Sequence, residues 1–168
     1  MSKDTKEDIA LLIVTFLASV AGVASAFVIC RPLAWLAIGV ADLYVFLVLL
    51  FAACRSDDAN FHTSHTWVTC FFPRRVAGLF VVAFLFLSII SGFAGLYVGT
   101  EVFQTSKTTL DAFYSSWFIL GFGDFSPKAG YGQLIVIAQV ASGVLLLVGV
   151  FPLLISRVST FQSPGSEG

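Results

Sequence analysis

Four long apolar runs set the limits on what this chain can become. They cover residues 9–30, 33–54, 76–98 and 132–156, and three of the four contain no charged side chain; the exception is Asp42 in the second. A helix that crosses a bilayer needs about 20 consecutive apolar residues. Each run is long enough, so the chain reads as an all-α membrane protein with four transmembrane helices. Composition agrees: of 168 residues 58% are hydrophobic and only 11% charged, with a mean hydropathy of +0.94. A soluble domain carries about 25% charged residues. The first run ends near Ala24-Ser25-Ala26, which looks like a leader-peptide cleavage site. Its apolar region is too long for a leader, however, and the preceding "MSKDTKED" mixes both signs instead of being basic. It is expected to be a retained helix.

Basic residues in the flanks orient the spans. With the N-terminus in the cytoplasm, the inner side holds Lys3, Lys6, Arg55, Arg74, Arg75 and Arg157, and the outer side Arg31, Lys107 and Lys128. The excess favours both termini inside, in the plasma or cell membrane. The expected organisation is a cytoplasmic N-terminus (1–8), a peripheral helix hairpin (9–54) joined at Arg31-Pro32, and a cytoplasmic loop (55–75). A region 76–157 and a flexible tail (158–168) follow. In the loop, Trp67, Phe71 and Phe72 suit the membrane interface, and Pro73 marks a helix start. His62 and His65 are too few ligands for a metal and read as solvated. Cys30, Cys54 and Cys70 form no even framework and match no zinc spacing, so they read as small apolar residues. The net charge of −1 argues neither for nor against an acidic partner, and no nucleic-acid partner is expected.

Between the third and fourth spans the pattern changes. Residues 108–118, "TTLDAFYSSWF", form a short segment that Thr108 or Thr109 can N-cap, with Asp111 in the first turn where a carboxylate complements the helix dipole. It is too short to span. It runs directly into "ILGFGDFSP" (119–127), with two glycines, a carboxylate and a proline. A short capped helix followed by a glycine-bearing strand suggests a re-entrant segment. Irregular backbone at membrane depth is tolerated only where protein buries it or it lines a water-filled cavity.

"LGFGD" resembles the selectivity-filter signature of tetrameric potassium channels, usually Thr-Val-Gly-Tyr-Gly-Asp. The likeness continues through Pro127, through Gly132 at the start of the last helix, and to Gly143, where that family places its gating hinge. It covers 76–157, the pore domain on this reading: outer helix 76–98, pore helix and filter 108–124, inner helix 132–156. The resemblance implies a homotetrameric potassium channel in membrane lipid. Ions would be held by the backbone carbonyls of Ile119, Leu120, Gly121 and Phe122, with Gly123 completing the filter and Trp117 and Asp124 supporting it. Glycines let successive carbonyls point one way, and the oxygens replace the ion's hydration shell. One filter strand per chain cannot close a ring, so four copies are needed.

Two features depart from that family. Ile119 stands where the filter normally begins with Thr, removing one hydroxyl per subunit at the innermost site. The "DAF" that resembles the family's pore-helix opening also reaches the first glycine about three residues early. A weakly selective cation channel and a non-conducting regulatory or assembly subunit therefore stand as alternatives.

On the last helix, Val144, Leu147 or Val148, Phe151 and Ile155 share one face. With Gly143 as hinge, Phe151 and Ile155 would form an apolar inner gate, closing by dewetting. Pro152 removes a backbone donor and should kink the helix end. Asp42 sits near mid-membrane, where a carboxylate is costly unless protonated or partnered. Tyr44, Ser88, Ser91 and Tyr97 are its candidate partners, and its expected role is either an intramembrane sensor or a neutral interhelical tie. No catalytic pair or metal-ligand cluster is apparent. Neither an enzymatic activity nor a cofactor is expected, only permeant K+ and an unknown regulatory partner.

Overall fold

The computed structural model describes residues 3–55, 75–100, 102–103, 108–120 and 126–152. These form five helices: α1 Lys3–Val28, α2 Arg31–Arg55, α3 Arg75–Gly99, α4 Thr109–Leu120 and α5 Tyr131–Val144, the last continuing into a π-helical segment, Leu145–Val150. No strand occurs among the described residues, only an isolated antiparallel bridge between Phe103 and Pro127. Four helices are long and apolar enough to cross a membrane, over Ile9–Val28, Arg31–Leu50, Gly78–Val98 and Tyr131–Val150. The expected class, an all-α membrane protein with four spans and one shorter helix before the last, matches this architecture.

Pairs of touching residues give the directions. Phe16 meets Phe84 edge-on at 5.4 Å, and Gly22 and Ser25 lie against Ser91 and Gly95, so α1 and α3 run parallel. α2 runs the other way, with Ala34 facing Gly92 and Ala37 facing Ser88. α5 is parallel to α2, since Ser142 bonds Asp42 and Gly149 rests on Leu49. The closest packing joins α1 to α3. It is made by small residues: a Cβ on Gly22 would stand 2.2 Å from Ser91 Oγ, and one on Gly95 2.1 Å from Ser25 Oγ. In lipid, helices gain little from burying apolar surface against one another, and close backbone approach takes over. α3 is the centre of the bundle. Two-thirds (67%) of its most apolar stretch is buried, against 33%, 39% and 33% for the other three spans.

The turns differ from the sequence expectation in register. The α1–α2 connection is Ile29-Cys30, and Arg31 and Pro32 already belong to α2. Pro in a first turn costs nothing, because its missing N–H would have no partner there. Ile29 takes φ 55°, and the Cys30 N–H donates to Ser25 O at 3.2 Å, the 6→1 bond of a Schellman ending. α4 likewise extends beyond 118, taking in Ile119 and Leu120.

Candidate functional site

α4 begins at a reciprocal cap. The Thr108 hydroxyl donates to Asp111 Oδ2 at 2.7 Å, and the Asp111 N–H donates back to Thr108 Oγ1 at 3.2 Å. Thr108, of the two candidates, is therefore the cap, and Asp111 plays the part that Glu has in the usual capping box. From there α4 descends beside α3. Thr109 donates to Ala26 O near the end of α1, Phe113 approaches Phe27, Ser116 reaches Ile90, and Trp117 meets Phe86 edge-on at 5.7 Å. The last turn of α4 thus lies at the middle of the α3 span. α5 starts again at the opposite level, where the Lys128 N–H donates to Val102 O at 2.8 Å. Gly132 packs on the same carbonyl, which a Cβ would approach to 2.6 Å. Gly130 turns the chain into α5 with φ 81°, a value that favours glycine.

A buried hydrogen-bond network holds the lower half of α4. The Tyr97 hydroxyl of α3 donates to Gln139 Oε1 of α5. Gln139 Nε2 donates to Ser116 O at 2.7 Å and to Ser116 Oγ at 2.8 Å, and Ser116 Oγ donates to Ile90 O at 2.8 Å. Gln139 and Ser116 are both wholly buried (0% exposed). Every donor of the Gln139 amide is used, as an interior amide requires. Beside it, Ser115 Oγ is buried without a partner.

Of the residues singled out in the sequence, Gly121, Phe122, Gly123, Asp124 and Ile155 lie outside the described residues, as do His62, His65 and Cys70. Ile119 and Leu120 close α4 as helical residues. The Ile119 side chain is 3% exposed and belongs to the buried hydrophobic core. Trp117 is largely exposed beyond its contact with Phe86. Gly143 is buried two residues before the π-helical segment. Val144, Leu147, Val148 and Phe151 are exposed, Val148 to 70%, while Leu146 and Val150 are fully buried. The face chosen from helical period is the one turned away from the core.

Asp42 has a partner that the sequence reading did not name. The Ser142 hydroxyl is within donating distance of two acceptors, Asp42 Oδ2 and Ala138 O of its own helix, each at 3.0 Å. Three of the expected partners bond elsewhere: Ser88 to Ala37 O, Ser91 to Leu87 O, and Tyr97 to Gln139. Asp42 therefore ties α2 to α5 one residue before Gly143. Gln139 was missed as well. Its signal was an amide well inside an uncharged, mostly apolar run, which warrants a search for partners as a buried charge does.

No protein-family model, no curated protein and no solved structure matches this chain.

Proposed function

We propose that this chain is the subunit of a homotetrameric, potassium-conducting membrane channel, with both termini in the cytoplasm and α4 as a re-entrant pore helix. The observation that carries the reading is a juxtaposition. A helix of 12 residues, capped at its start, ends beside the midpoint of the α3 span and is followed in sequence by Gly-Phe-Gly-Asp. The last four carbonyls of any helix have no partner within it, and they carry the negative end of the helix dipole. The carbonyls of Ile119 and Leu120 belong to that group, so their being helical leaves them available to a cation. Gly121 and Phe122 would add the next two oxygens, with Gly123 and Asp124 beyond.

The exposed face of α5, including Val144, Val148 and Phe151, would line the inner cavity, with Gly143 as hinge and Phe151 and Ile155 as its apolar gate. Leu110, Tyr114, Trp117 and Phe118 on α4 are also exposed and are available to a neighbouring copy. Ile119 favours a second reading, a weakly selective cation pore. It carries no hydroxyl, and its side chain is committed to the core, so the innermost site has only carbonyls.

Flux from protein in potassium-loaded liposomes tests both. Potassium release that exceeds sodium release severalfold is the expected result. Equal rates would leave the weakly selective pore, and no flux of either ion would reduce the chain to a channel-like subunit that does not conduct.

A further inference from the structure

Gln139 lies on the helix read as pore-lining, yet it is fully buried. Its three hydrogen bonds run to Tyr97 on α3 and to both oxygens of Ser116 on α4. Ser116 O is a backbone carbonyl in the last five residues of α4, and Ser116 Oγ continues the chain of bonds to Ile90 O. One amide therefore fixes the height and rotation of the end of α4 relative to the two long helices that flank it.

A helix end held only by apolar contacts can slide and turn, because dispersion has little directional preference. Three buried hydrogen bonds from one planar amide have a single geometry that satisfies them all, and leaving a buried donor or acceptor unmade is costly. We propose that Gln139 is a positioning residue for ion selection: by locking Ser116 it sets where the carbonyls at the end of α4, three and four residues on, point. This rests on the channel reading and adds to it a determinant of selectivity outside the filter sequence. Gln139 touches no ion. It acts through Ser116, and Tyr97 orients it.

The distinguishing readout is the ratio of potassium to sodium flux, measured in liposomes on tetramer isolated by size. Gln139→Leu fills the site with a side chain of similar volume and removes all three bonds. It should lower the ratio by roughly tenfold while total cation flux persists. Tyr97→Phe removes one hydroxyl and leaves both bonds to Ser116, so it should lower the ratio less, by about two- to threefold. Gln139→Glu, which keeps an acceptor for Tyr97, should fall between the parent and Gln139→Leu. If Gln139→Leu yields no tetramer, Tyr97→Phe alone decides. A selective parent whose Tyr97→Phe and Gln139→Leu variants are equally selective overturns the inference and leaves the channel reading intact. A parent that passes both ions alike overturns the potassium-selective reading and the inference with it, and one that passes neither overturns the channel reading as well.

Discussion

Ile29 holds a backbone conformation that its own side chain resists. A β-branched residue at φ 55° places Cβ against the following carbonyl, at a cost of about 1–2 kcal/mol, and its side chain is largely exposed and recovers little by packing. Ile29→Gly should stabilise the protein by about 1 kcal/mol, the gain reduced by glycine's larger unfolded-state entropy, and thermal melting in detergent checks it. The reverse holds at the α1–α3 contact. Gly95→Ala puts a methyl 2.1 Å from Ser25 Oγ and 3.0 Å from its Cβ, whereas Gly39 has nothing within 4 Å. Gly95→Ala should cost about 1–3 kcal/mol, while Gly39→Ala should be neutral or stabilising. Equal melting temperatures for the two variants would show that α1 and α3 are not in contact at that height. Positions of this kind were only partly legible in the sequence. Ser19, Gly22 and Ser25 recur at three-residue spacing, as do Ser88, Ser91 and, one residue later, Gly95, but a small residue on an apolar helix does not declare which neighbour it admits.

At the scale of elements, the spans were written in the apolar runs; their bounds shift by one or two residues at the turns, and α1 starts at Lys3, six residues ahead of its run. The short helix was legible from Thr108 and Asp111. Its end was not, because Ile119 and Leu120 continue the helical pattern and nothing before Gly121 punctuates it. The cap also gives a test. Thr108→Ala removes the hydroxyl that bonds Asp111 in both directions and should cost about 1 kcal/mol, read as a lower melting temperature. The π-helical segment had no sequence signal beyond Pro152, whose ring cannot donate to Val148 O. Widening the preceding turn, with the Phe151 N–H reaching back to Leu146 O, is one way a helix absorbs a missing bond. On the channel reading Phe151→Ala should raise basal flux in liposomes by removing a hydrophobic constriction, and unchanged flux with normal assembly would locate the constriction elsewhere.

For the whole molecule, the exposed apolar side chains of α4 and α5 bear on assembly, since a single copy leaves them to lipid. Native mass spectrometry from detergent should give a tetramer as the main species, and a monomer or dimer as the largest species would rule the assembly out. The tie between Asp42 and Ser142 belongs to this scale too. It makes the first two helices part of the same body as α5 and not an appendage to it, a link invisible in the sequence because the two residues are far apart along the chain. Asp42 stood out as a lone carboxylate; Ser142 had nothing to single it out from other serines.

The parallel packing of α1 on α3 has a bearing on biosynthesis. α2 emerges between them, so the first two helices are made before the surface that α1 is shaped to meet exists. A nascent chain halted before Arg75 would leave Gly22 and Ser25 without the Ser91 and Gly95 they pack against. Its hairpin should be short-lived in the cell until the third helix arrives to be clasped, and a separately expressed fragment beginning at Arg75 should prolong its lifetime.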